Sequence, residues 1–229
     1  MASRRRNCIE TTVSRIIRQQ AQVNVVYMPE QAARGGLLFE AAQAAAFAPR
    51  LSFSQIDVNT SEAVFWRASR GVYVAGNTRV RIPQLHGNEF ELGVLVDGTS
   101  TDAHDVLAEA WTILGELLGD AAVPLVSVTG GVEYTSTTVI KTAADFGTWL
   151  APLGRAAAVL QAKLGDAALP VATPISVRIP LRMKVRGLEI ERELRIERRF
   201  YADEADMLYV VSSPLRSDDH EAVIDALFG

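Results

Sequence analysis

Residues 177–196 read VRIPLRMKVRGLEIERELRI, and the reading of this stretch decides the fold class. A turn at Arg186-Gly187 sets Met183 against Ile190, Ile179 against Leu194 and Val177 against Ile196 on one face. The other face then opposes Lys184 to Glu189 and Arg182 to Glu191. One register satisfies both faces, and a slip of one residue would invert every side chain, so the pattern specifies an antiparallel hairpin. It predicts Ile179, Met183, Ile190 and Leu194 on a shared buried face, with Leu181 buried too. Arg192, opposite Leu181, must then carry its guanidinium past the core to water or to a carboxylate.

Working outward from the hairpin, strand patterns recur over residues 51–58, 63–66, 72–75, 78–82 and 90–96, with Gly76-Asn77 as a two-residue turn. Thr101 or Asp102 is placed to cap a helix whose Leu107, Trp111, Leu114 and Leu118 share one side, with Gly119 as its stop. In the second half, a strand at 123–128, a turn at Thr129-Gly130-Gly131 and a Thr-rich strand through Ile140 precede helical signals over 143–164, broken at Pro152. After the hairpin come a strand at 207–211 and a short helix at 218–228. At the other end, Ile9, Val13, Ile16 and Ile17 have helical spacing over residues 8–20. A short strand at 23–27 follows, then a helix from Pro29 that is interrupted at Gly35-Gly36 and resumed at 37–47.

Residues 70–110 align without a gap on residues 186–226, and eight positions are identical: Arg70, Gly71, Arg79, Leu92, Val94, Asp102, His104 and Ala110. A fixed-period echo speaks to architecture. The expectation is therefore an α+β fold of two similar halves related by a pseudo-two-fold internal duplication. Each half packs helices on an antiparallel β-meander, residues 1–120 and 121–229, in one compact unit. Strand follows strand too often for a parallel sheet.

The bulk properties narrow the classes. A net charge of −4 gives no general attraction for nucleic acid. A single cysteine, Cys8, excludes an intrachain disulfide framework and fits a reducing, cytoplasmic setting. No apolar run approaches the ~20 residues of a transmembrane helix, and the arginines at positions 4–6 are not followed by the apolar core of a secretory signal.

The candidate sites are few. His104 and His220 each stand in a [Ser/Thr]-Asp-x-His-[Asp/Glu] stretch, which admits an acid/base or ligand role but equally describes two helix starts. The latter predicts them far apart, each in a first helical turn. Three histidines and one cysteine do not make a zinc site, so no metal and no cofactor are expected. No G-x-S-x-G elbow or phosphate-binding glycine loop is present, and Cys8 beside basic residues is read as an adventitious thiol. Arg4, Arg5, Arg6, Arg15 and Arg18 form a basic arm on an amphipathic helix. Trp66, Trp111, Tyr134 and Tyr209 are the aromatics available to line a groove between the halves.

The function expected from this is non-enzymatic binding: an adaptor, accessory or assembly factor that meets another polypeptide, or itself, through sheet edges or the inter-half groove. One alternative is a ligand-binding protein or enzyme with a pocket between the halves and His104 or His220 as acid/base. Another is a nucleic-acid-associated protein that uses the basic arm.

Overall fold

A computed structural model describes residues 15–27, 47, 49–59, 65–88, 90–118, 129–142, 176–185, 188–199 and 207–228. They build one antiparallel sheet of nine strands with two helices. The strands are β1 (Arg15–Tyr27), β2 (Gln55–Asn59), β3 (Phe65–Ala75), β4 (Thr78–Asn88), β5 (Glu91–Asp97), β6 (Thr129–Thr142), β7 (Ser176–Val185), β8 (Leu188–Arg198) and β9 (Met207–Ser213). Helix α1 (Ser100–Leu118) follows β5, and α2 (Ser217–Phe228) follows β9. Across the sheet the order is β2-β3-β4-β5-β1-β6-β9-β8-β7.

This corrects the expected fold class. Two meanders exist, but they are not separate α+β halves. β1 pairs with β5 on one side and along most of its length with β6 on the other, from Arg15↔Lys141 to Tyr27↔Thr129, which fuses everything into one sheet. Residues 15–20, expected as helix, are therefore strand. Ile16 and Ile17 have helical spacing from Val13, but a partner strand more than a hundred positions away outweighs that local signal. The Gly130-Gly131 turn is corrected too. Both glycines lie inside β6, where the register shifts between Val26↔Gly131 and Tyr27↔Thr129, a bulge rather than a reversal.

Alternation decides which face is buried. Ala21, Val23 and Val25 of β1 lie beside Val96, Val94 and Leu92 of β5, and all are buried. Ser136, Thr138 and Ile140 of β6 continue the same face, followed by Ser213, Val211 and Tyr209 of β9. Both helices cover this face. Leu107, Trp111 and Leu114 of α1 pack on the β5 side, and Ile224 and Phe228 of α2 pack with Tyr209 and Ile196.

The Gly76-Asn77 hairpin forms as expected. Gly76 has φ of +57° and Asn77 does not share the left-handed region, the pattern of a type II′ turn. The β7–β8 register is also as read, from Val177↔Ile196 through Met183↔Ile190 and Lys184↔Glu189. Arg192 leaves the ladder for the Glu133 carboxylate, 2.6 Å away. The apolar face of that hairpin is less covered than expected, since Ile179 is 44% exposed and Ile190 only half-buried. The expected helix at 29–47 except Phe47, that at 143–164, the strand at 123–128, Gly119, Cys8 and the turn residues Arg186-Gly187 lie outside the described residues.

The echo at 116 residues does not survive as an alignment of positions. It sets Val94, inward, on Val210, which alternates outward between the buried Tyr209 and Val211. The helix starts, Ser100 and Ser217, are 117 residues apart. A shift of one residue inverts a strand's faces and turns a helix by about 100°. Arg70, matched to Arg186, is interior to β3 with φ of +59°, a backbone conformation set within one ladder rather than at a hairpin turn.

Candidate functional site

The two helix starts meet over the middle of the sheet. The Ser100 N–H donates to Ser217 Oγ at 2.8 Å, and the Ser217 N–H donates to Ser100 Oγ at 3.2 Å. Each serine thus satisfies a backbone donor that the other helix leaves free. Ser136 lies beneath, its hydroxyl donating to the Leu215 carbonyl at 2.8 Å. The helices that carry His104 and His220 therefore begin against each other, with each histidine in or next to the first turn.

The cap of α1 is Thr99 rather than Thr101 or Asp102. The Thr99 N–H and hydroxyl donate to the Asp102 carboxylate at 2.7 and 2.8 Å, and the Asp102 N–H donates back to Thr99 Oγ1 at 3.2 Å. This is a reciprocal capping box with aspartate in the usual glutamate place. In α2 the corresponding residue is Arg216, whose carbonyl accepts from the His220 N–H as the Thr99 carbonyl accepts from that of Ala103. His220 therefore stands where α1 has Ala103, while His104 is one position further round.

Their environments differ accordingly. His220 is fully buried, with Nδ1 2.7 Å from Ser213 Oγ and Nε2 3.1 Å from Thr138 Oγ1. Burial pushes its pKa down to about 4, so it is a neutral ring holding two hydroxyls. His104 is half-buried, with Nε2 3.0 Å from the Tyr134 hydroxyl. Burial, then the Arg216 cation, lower its pKa against the opposing pull of Asp105. Arg216 also lies over the Tyr134 ring at 5.7 Å. The serine-histidine contact at Ser213 has the atoms of a nucleophile and a base, but both are sealed from solvent.

The four aromatics do not line a common groove. Trp66 is fully buried against Phe47, Trp111 packs near Tyr27, and Tyr209 lies in the second core with Phe228. Tyr134 sits beside His104, ring centroids 5.6 Å apart. Among the described residues no group of three or more His, Cys, Asp or Glu side chains is arranged to hold a metal ion, and no helix is long and apolar enough to cross a membrane.

The opposite face of the sheet carries neither described helix. Register places its residues in rows that cross from strand to strand. One row runs Gln55, Ser69, Gln84, Leu95, Gln22 and Thr135. The next runs Asp57, Arg67, His86, Gly93, Asn24 and Glu133. Amides link neighbours along the strands: Gln22 donates to Asn24 at 3.2 Å, and Gln84 lies 3.3 Å from the His86 ring. Gly93 gives these groups room, because a Cβ there would come within 2.4 Å of both Asn24 and His86.

At one end of this face the polar carpet becomes cationic. Asp97 accepts from Gln20 at 2.7 Å and from Arg18 at 2.8 Å, with Arg81 at 3.7 Å. Burial acts to raise the Asp97 carboxyl, but the hydrogen bonds from Arg18 and Gln20 and the two nearby cations outweigh it, so it is held below the ordinary carboxylate value. Arg79 alternates with Arg81 onto the same face, and Arg15 stands opposite Lys141 in the β1–β6 ladder. Arg15 and Arg18 were expected on a helix with Arg4, Arg5 and Arg6; they are on a strand, and the other three lie outside the described residues. The sequence contained the alternation that builds this face. It held no signal that β4 and β1 share an end.

A recess of about 250 Å³ opens beside the end of β9, lined by Thr135, Arg192, Glu193, Arg195, Ser212 and Pro214 among others. Its arginines are already engaged, Arg192 with Glu133 and Arg195 with Glu197.

No protein-family model, curated protein or solved structure matches the chain.

Proposed function

We propose that the chain is a binding protein that engages another polypeptide across the face of its sheet opposite the two described helices. The row from Gln55 to Thr135 supports this reading most directly. It crosses six adjacent strands and offers amide and hydroxyl groups, with a single apolar side chain, to whatever lies on it. A broad, shallow surface of donors and acceptors matches a macromolecular partner better than a small molecule, which needs a concave site.

The sheet edges are the weaker route. Among the described strands, β2 forms one edge and spans only Gln55–Asn59. β7 forms the other, and it carries Pro180 with Arg178, Arg182 and Lys184, residues that blunt an edge against strand addition.

The test is a photo-crosslinking amino acid placed at Gln22, Thr135 or Ser212 on the open face, and at Thr112 or Glu116 on the exposed side of α1. The expected result is a discrete adduct, in cells that express the protein, from open-face positions alone. Adducts of equal yield from both sides, or none from the open face, would sink the proposal.

A further inference from the structure

Resting on that reading, we infer that the Arg18–Arg81 end of the open face is a docking surface for an acidic segment of polypeptide that also carries apolar side chains. The carboxylate of Asp97 is shared by Arg18 and Arg81, at 2.8 and 3.7 Å, so one negative charge answers two guanidiniums. Both cations keep access to solvent: the Arg81 side chain is 77% exposed and that of Arg18 49%. Arg79 and Arg15, also exposed, extend the patch along β4 and β1. Neighbouring strands lie about 4.8 Å apart and same-face residues about 7 Å apart along a strand. Arg79, Arg81 and Arg18 therefore form a compact triangle, matched to a few carboxylates on one extended chain.

Apolar residues interleave with these cations. Val72, paired with Arg81 across the β3–β4 ladder, lies on their face and is half-buried. Val74, paired with Arg79 across the β3–β4 ladder, is 60% exposed. That mixture decides between polyanions. A phosphate backbone offers nothing for the valines to bury, and a single-strand site needs aromatic rings for its bases. None of the patch residues is aromatic. An acidic peptide with leucine or isoleucine between its carboxylates satisfies both components, and the overall charge of −4 disfavours a long polyanion at a distance.

The experiment measures fluorescence anisotropy of the full chain with three probes: an alternating Glu-Leu dodecapeptide, a Glu-Ser dodecapeptide and a 20-base-pair DNA duplex. The Glu-Leu peptide is expected to bind tightest, and the R79E/R81E variant to lose at least tenfold in affinity. The R178E/R182E variant on the far edge strand should bind as the parent does. Circular dichroism checks that both variants fold. DNA bound tighter than either peptide, equal losses in both variants, or no binding of the Glu-Leu peptide to a folded chain would each overturn the assignment. If crosslinks persist at Gln22 and Thr135 while the peptide fails, this docking surface falls and the open-face reading stands. Loss of the crosslinks alone removes that reading instead.

Discussion

The flank from β5 out to β2 and the flank from β9 out to β7 have a similar plan, but they are held together by different means. The first is built around bulky, fully buried groups: Trp66 against Phe47 at 5.1 Å, with Leu51, Leu85, Leu107 and Leu114. The second rests on Ile140, Ile196, Tyr209, Ile224 and Phe228, and the outer hairpin beyond them leaves Ile179 partly in solvent. At the helix starts the first uses a capping box and places a small alanine inward, whereas the second has no capping side chain at Arg216 and places a histidine inward. The lesson is that similar topology does not ensure similar chemistry. Where one flank buries an apolar surface, the other buries hydroxyls that only a histidine satisfies.

The largest expected effect tests the difference in packing. Trp66→Ala should cost about 3–5 kcal/mol, because the removed ring leaves a cavity its neighbours cannot close. Ile196→Ala, in the thinner core, should fall near the low end of the ~2–5 kcal/mol range for such truncations. Urea unfolding of both variants gives the comparison, and hydrogen exchange should show β8 amides opening before those of β5. Equal costs, or β5 opening first, would erase the distinction.

Next in size is the buried histidine. An unfolded histidine titrates near 6.5, while folded His220 does so at about 4, so the folded state binds fewer protons between those values. Stability is therefore complete above about pH 6.5 and declines as pH falls, by about 2 kcal/mol at pH 5. Denaturation at pH 7 and pH 5 should show this loss in the parent, and His220→Leu should remove most of the pH dependence while costing stability at pH 7 through the unpaired Ser213 and Thr138 hydroxyls. His104→Leu should leave most of the slope in place. Asp97 occupies another window: its folded value lies below the ordinary one near 3.9, so its contribution is intact above that and disappears only as pH drops through the folded value.

A smaller contrast concerns the caps. Thr99→Ala removes the acceptor for the Asp102 N–H and should cost about 1 kcal/mol. Asp218→Ala, at an exposed position in the first turn of α2, should stay within about 0.5 kcal/mol. Thermal melts of the pair decide it, and a larger loss from Asp218→Ala would show that α2 is capped after all.

The smallest effect belongs to the Arg192–Glu133 pair, which ties the outer hairpin to the central β6. Both side chains are partly exposed, so a double-mutant cycle with Arg192→Met and Glu133→Gln should yield a coupling under about 1 kcal/mol that shrinks with salt. A coupling of several kcal/mol would make this ion pair, rather than the core, the main tether of the second flank.

What the sequence by itself determined is what adjacent residues can enforce. The Val177–Ile196 register follows from two faces that must both be satisfied, and the Gly76 turn from a positive φ that glycine adopts freely. The apolar stripe of α1, with Leu107, Trp111 and Leu114, follows from helical spacing. The pairing of β1 with β6 was decided only in the tertiary structure, because residues 15–20 acquire their strand geometry from a partner far along the chain. The same holds for the open face and its cationic end. Arg18, Arg81 and Asp97 are brought together by two separate ladders, and no local pattern encodes that meeting. The histidines show the limit most sharply: the repeated Asp-x-His spelling is legible, but in α2 it stands one position nearer the helix start than in α1, which turns His220 into the core and leaves His104 at the rim.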